Sequence, residues 1–282
     1  MKSDRDLAQQ RGVEQKSIGE QLKLWRTRSH ISQLELALEC NSSSRHLSFL
    51  ETGKAHPTRE LLLDLTRVLH VPLRSRNTLL ISAGYAPLFE ETGLSDQEMK
   101  EIRNMLSIMV HKYNPYPSTL IDRHWNIIES NTTFQRMCSA FVHDASLLGK
   151  KPLNLLRIFL DPDCVGRSIQ NFNDTYSTML NRARRFVNIM GSDAENKNLL
   201  NEVLQYRPKN PKALDEDIPQ LVMPLHLKKN ELELSLFTMV ATMGGPLNIT
   251  LQEMQMEFAL PTDENSNRVL LELVKNSDSL YE

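Results

Sequence analysis

Between Ser32 and Leu50 the chain places two helix starters, a small residue, a turn former and two leucines at fixed offsets, and few folds satisfy all of them. Ser32 suits an N-cap and Gln33 opens a short helix to Glu39. Ala37 within it is small enough for a partner helix to approach closely. Asn41 falls where a tight turn between helices needs a left-handed residue, which asparagine tolerates better than most. Ser43 then caps a further helix over 44–50. Leu47 and Leu50, three apart, turn inward beside Ala37, and Ser44, Arg45, His46 and Ser48 are left on the outer face.

The flanks extend this pair into a bundle. Ile18, Leu22 and Trp25 recur at i, i+4, i+7 and predict a first helix ending near Ser29. Leu61, Leu62, Leu65, Val68 and Leu69 form the apolar stripe of a fourth helix. Pro72 admits a fifth, which Gly84 ends. The expectation is an all-α helix-turn-helix bundle of five helices over about residues 14–86.

The outer face has a use. A helix fits the major groove of B-DNA, and its N-terminal residues reach base edges. Arg45 and His46 are the best placed readers, since an arginine bonded to guanine O6 and N7 discriminates by about 1–3 kcal/mol. Ser44 and Ser48 reach less far, to bases or phosphates, and Ser43 stands at the helix start beside them. Gln33, Thr52 and Lys54 suit phosphate contacts that set the register. Charge is distributed accordingly: residues 17–86 carry +3 and residues 87–282 carry −6, so the basic part of the chain contains the polar helix.

Gln33, Ala37, Asn41, Leu47, Leu50, then Glu51-Thr52-Gly53-Lys54, Pro57-Thr58 and the run 59–65 resemble the helix-turn-helix of the lambda-repressor-like (XRE) family. Asn41-Ser42 stand where that family usually has glycine and an apolar residue. The string 45–54, followed by Asn77-Thr78-Leu79-Leu80 and Ala83-Gly84-Tyr85-Ala86-Pro87, is similar to one branch of it, which carries an MmyB-like ligand-binding domain.

At 282 residues the chain exceeds one typical domain, so a second core is expected. Ser95-Asp96-Gln97-Glu98 reads as a capping box. Met99, Ile102, Leu106, Met109 and Val110 continue a connecting helix within 87–114, which Asn114-Pro115 stops. Beyond it, 118–121 and 125–129 read as a hairpin around Asp122-Arg123-His124, ahead of a helix begun by Asn131. A long amphipathic helix runs from about Ile169 to Met190, with another over 199–206. Strand-like runs follow at 221–227, 231–243 and 252–260, and a last helix starts near Thr262. Two strands, several helices and three strands predict an α+β PAS-like domain over 115–275, an antiparallel sheet with helices on one face.

Pro115-Tyr116-Pro117, Asp122-Arg123-His124-Trp125-Asn126, the long helix, the run 237–251 and Pro261-Thr262-Asp263 carry the MmyB-like resemblance. Gly245 and Asn248 stand where that family more often shows threonine and aspartate. The resemblance implies a sensory pocket between sheet and helices for a fatty-acid-like molecule. Adaptable apolar linings are what such a site needs. The candidate contacts are Trp125, Phe134, Phe159, Phe172, Tyr176, Met179, Met239 and Met243, with Arg184 or Arg185 as a carboxylate partner; ordinary core packing is the competing reading of each apolar one, and a solvated basic face that of Arg182, Arg184 and Arg185.

Catalytic and metal chemistry have no comparable pattern. The eight histidines form no H-E-x-x-H or i, i+4 pair, and Cys40, Cys138 and Cys164 form no C-x-x-C. No nucleophile elbow, Walker loop or G-x-G-x-x-G occurs, so no enzyme, cofactor or metal is expected beyond a bound fatty acid. A haem needs only one axial histidine, such as His111 or His143, but a surface or hydrogen-bonded histidine is the favoured reading of each. Residues 1–16 carry Asp4, Asp6 and Glu14 and no apolar run, and the uncharged stretch 234–251 is broken by Gly244-Gly245-Pro246. A cytoplasmic protein without a membrane partner is expected. Together these readings anticipate a homodimeric regulator that binds double-stranded DNA and senses a small apolar ligand. The alternative is an antitoxin-like autoregulator that binds a protein.

Overall fold

The computed structural model describes residues 17–93, 95–191, 193–208, 224–245 and 247–275. The chain forms two compact units, one through Phe89 and one from Glu90 onward. Residues 14–16 of the anticipated bundle and 221–223 of an anticipated strand lie outside the described residues.

The first unit holds five helices: α1 Ile18–Arg28, α2 Gln33–Glu39, α3 Ser44–Glu51, α4 Arg59–Val68 and α5 Leu73–Ser82. Their starts are chemically fixed. Ser17 and Ser32 form reciprocal capping boxes with Glu20 and Glu35, and Ser43 and Thr58 accept the amides of His46 and Leu61. Asn41 takes φ 49° in the α2–α3 turn, and Gly84 takes φ +75° after α5. Leu22, Leu36, Ala37, Leu47, Leu50, Leu62 and Leu65 make one core. Truncating Leu47 or Leu50 to alanine there would cost about 2–5 kcal/mol.

The second unit begins with α6 Lys100–Lys112, entered through a 3-10 turn at Gln97–Met99. The anticipated capping box does not form: Asp96 stands at the turn's N-cap without a side-chain cap bond, and its carboxylate accepts the Gly93 amide at 2.9 Å. Then follow β1 Ser118–Ile121, β2 Ile127–Ser130, α7 Thr132–Phe141, α8 Leu155–Leu160, α9 Phe172–Met190 and α10 Ala194–Gln205. β3 Leu225–Lys229, β4 Leu232–Ala241, α11 Ile249–Glu253, β5 Gln255–Pro261 and α12 Glu264–Lys275 complete it. The sheet is antiparallel in the order β2-β1-β5-β4-β3. The unit is a PAS-like α+β domain, with the crossing helices between β2 and β3.

The structure differs from expectation in three further places. The second strand starts at Ile127, because Trp125 adopts φ 66° in the preceding turn and leaves the extended region. The expected strand 252–260 begins only at Gln255, because residues 252 and 253 close a short helix, Ile249–Glu253, that the Asn248 side chain caps by accepting the Leu251 amide. Helices also cover both faces of the sheet. Leu120 and Met256 pair across β1 and β5 and point toward Leu106 and Val110 of α6, whereas their neighbours Thr119 and Glu257 point the other way. That opposite face meets the larger core, built on Ile121, Trp125, Phe141, Leu156, Leu234 and Leu236.

Candidate nucleic-acid interface and ligand cavity

In the first unit α3 is held from below and left open above. Leu47 and Leu50 are 2% and 1% exposed, and Ser44 and Arg45 are exposed on the opposite side with His46 and Ser48 half-buried. Gly19 lets α1 lie against the end of α3: a Cβ there would stand 2.4 Å from the Leu50 carbonyl oxygen and 2.8 Å from that of Glu51. The buried Glu51 carboxylate receives Arg26 Nε at 2.6 Å, Arg26 Nη2 at 3.0 Å and Gln33 Nε2 at 2.8 Å. Burial works against the Glu51 charge, but the hydrogen bonds from Arg26 and Gln33 outweigh it and hold the carboxyl below its usual range. The same hydrogen bond raises the Arg26 guanidinium.

These contacts place the anticipated DNA-contacting residues. Gln33 is at the start of α2 with its amide turned onto Glu51, so α1, α2 and α3 meet at one carboxylate. The Ser43 hydroxyl accepts the His46 amide at 3.1 Å, and Thr52 donates to the Ser48 carbonyl at 2.7 Å. Arg45 and Lys54 approach one ring: the guanidinium carbon lies 5.4 Å and the ammonium 6.0 Å from the centroid of Phe49. Ser44, Arg45, Ser48, Thr52 and Lys54 therefore share one accessible surface. Gly19, Arg26, Phe49 and Glu51, which build it, were not anticipated. Glu51 could have been suspected as an acidic residue in the apolar phase of α3.

In the second unit a cavity of about 370 Å³ lies between the sheet and the crossing helices. Thr175, Thr178, Met179 and Arg182 line one wall at i, i+3, i+4, i+7 along α9. Phe134 and Met137 of α7 and Leu155 and Phe159 of α8 close the end. Thr119, Leu236, Thr238, Val240, Glu257 and Ala259 form the sheet side. Of the anticipated contacts, Phe134, Phe159 and Met179 come together on this lining.

The other candidates stand elsewhere. Trp125 is 1% exposed and lies behind the cavity, its ring 4.6 Å below the Arg182 guanidinium. Tyr176 faces the core and donates to the Val203 carbonyl at 3.3 Å, with Phe172 against it. Met239 lies on the opposite sheet face, 39% exposed, and Met243 follows the end of β4. Arg184 and Arg185 are exposed on α9. The cation at the cavity is Arg182, which donates to Gln255 Oε1 at 2.6 Å and pairs with Glu257 Oε1 at 2.6 Å. The helical phase shared with Thr175, Thr178 and Met179 is the signal that distinguishes Arg182 from its neighbours.

His111 bonds Glu129 Oε1 at 2.9 Å and His143 bonds Ser168 Oγ at 3.1 Å. Among the described residues no three metal-ligating side chains cluster, and no helix is long and apolar enough to cross a membrane. Cys40, Cys138 and Cys164 are buried, and burial pushes the Cys164 thiol up to about 11 and that of Cys138 higher still.

A helix-turn-helix bundle joined to a cavity-bearing α+β unit defines a DNA-binding transcription regulator with a ligand-binding domain. Two family models match: a helix-turn-helix over residues 22–75, and the MmyB-like transcription regulator ligand binding domain over residues 102–273. The chain belongs to the family of regulators carrying that MmyB-like domain. No curated protein matches it. Among solved structures, an RNA-binding Light-Oxygen-Voltage receptor aligns at 11% identity and TM-score 0.26, over 98% of this chain and 66% of that one. The strand order of this protein, rather than an overlay at that score, defines its fold.

Proposed function

We propose that the protein is a homodimeric, cytoplasmic, non-enzymatic regulator that reads operator DNA with α3 and is controlled by an acyl-chain ligand of the fatty-acid-like class in the cavity of its second unit. The observation that carries this is the division of α3 into a buried Leu47–Leu50 side and an accessible Ser44–Arg45–Ser48 side, oriented by the Glu51 cluster. The roles follow from reach. Arg45 and His46 address base edges, Ser44 and Ser48 address bases or phosphates, and Ser43, Thr52, Lys54 and Gln33 address the backbone.

The ligand reading rests on an apolar cavity with few polar groups, the usual form of a small-molecule site. For the dimer, α6 supplies a second copy's seat. Its outward stripe is Glu101, Met105, Ile108, Met109 and Lys112, with the three apolar members 56%, 58% and 52% exposed. An antiparallel pair of such helices sets Glu101 of each copy beside Lys112 of the other and buries the apolar row between them. Selection of bound duplexes from a random-sequence pool tests the reading. An inverted repeat with half-site centres about 34 Å apart is expected; a pool without enrichment contradicts operator binding.

A further inference from the structure

The anticipated fatty-acid-like ligand has a carboxylate end to be met by Arg184 or Arg185, but both are exposed and the cavity wall holds Arg182 instead, so the lining decides which polar end is accepted. Among the described lining residues the only charged side chains are Arg182 and Glu257, and they neutralise each other at 2.6 Å. The Arg182 guanidinium is committed further: Gln255 Oε1 accepts from the same Nη2, and the Trp125 ring lies against its face at 4.6 Å. Glu257 is well buried, its side chain 11% exposed, and faces the cavity from the central strand β5.

A carboxylate entering this end would stand beside the well buried Glu257 carboxylate. It would also have to draw Arg182 away from a partner that would then be buried and unpaired. A neutral group with one donor and one acceptor meets no such conflict. Its O–H or N–H donates to Glu257, its oxygen accepts from Arg182, and the ion pair stays intact. Resting on the acyl-chain reading of the cavity, we propose that this site selects a ligand with a neutral hydroxyl or amide head in preference to a free carboxylate. Arg182 and Glu257 together act as the selecting pair.

The test uses full-length, delipidated protein at pH 8 and displacement of a fluorescent acyl probe by dodecan-1-ol and by dodecanoate, molecules of equal chain length. The alcohol is expected to compete at least tenfold more tightly, about 1.4 kcal/mol. In Glu257→Gln the carboxylate should gain until the gap closes or inverts. A carboxylate that binds the unaltered protein as tightly as the alcohol overturns the neutral-head inference and leaves the acyl-chain reading standing. If neither molecule displaces the probe, the acyl-chain reading itself falls. A gap unchanged in folded Glu257→Gln overturns the assignment to Glu257; if that variant does not fold, the comparison on the unaltered protein decides.

Discussion

Arg26 and Glu51, twenty-five residues apart, close a two-point ion pair at 2.6 and 3.0 Å that ties the end of α1 to the end of α3. Gln33 adds α2 to the same carboxylate, so one buried charge sets the angles of three helices. A helix that must present a side chain to a base edge within hydrogen-bond distance needs such positioning, and the pair is better placed to orient α3 than to supply net stability.

The first prediction concerns acid. The Glu51 carboxyl titrates lower in the folded protein than in the unfolded chain, so the unfolded chain binds the proton first and the contribution is present above about pH 4.3. It is lost as pH falls through the depressed folded value. Amide hydrogen exchange of α1–α3 in the full chain should show protection falling in that window. Glu51→Gln should lose about 2 kcal/mol of protection at pH 6 and show a shallower acid step.

The second concerns a glycine. Gly19→Ala gains about 1 kcal/mol of helix propensity, yet its methyl group meets two backbone carbonyls that have no flexible end to yield. Overpacking of this kind costs about 1–3 kcal/mol and more against backbone. A net loss of about 1–2 kcal/mol in urea unfolding is expected, with weaker DNA binding; a more stable variant would contradict the close approach of α1 and α3.

Lys54 and Arg45 approach the same ring but should act differently on DNA. Lys54→Ala is expected to weaken all duplexes by similar factors and to reduce the salt slope of log K by about 1, as loss of one phosphate contact requires. Anisotropy titrations of selected and scrambled duplexes at several salt concentrations measure both.

Met109→Glu places a charge in the middle of the exposed row on α6. Sedimentation velocity should show the dimer giving way to a folded monomer whose far-UV circular dichroism is unchanged, because Met109 is 52% exposed in the single chain. A dimer that persists assigns the interface to another surface.

The bundle was readable because its determinants are local: caps at Ser32 and Ser43, the left-handed Asn41 and inward leucines all act within one turn of where they stand. Gly19 was not readable, since its reason is contact across the bundle, and for Glu51 only the unusual phase was, since its partners Arg26 and Gln33 come from other helices. In the second unit α9 and the strands followed from periodicity. By contrast, α8 is only six residues long, with Leu155, Leu156, Ile158, Phe159 and Leu160 buried and Arg157 its one polar residue, and leaves too short a phase to read. Trp125 has the composition of a lining residue but a backbone conformation that sets it behind one. Arg182 was masked by Arg184 and Arg185, because three arginines so close in sequence read as a solvated face until the helix is phased against the sheet.

The measurement that bears most directly on operator reading by α3 is methylation interference at guanine N7 on a selected duplex, with the unaltered protein and with Arg45→Ala. Arg45 bonded to a guanine edge predicts that methylation of one guanine in each half-site blocks the unaltered protein and leaves the variant, already weakened by about 1–3 kcal/mol, indifferent at that position. Identical interference patterns for the two proteins would contradict base reading by this helix.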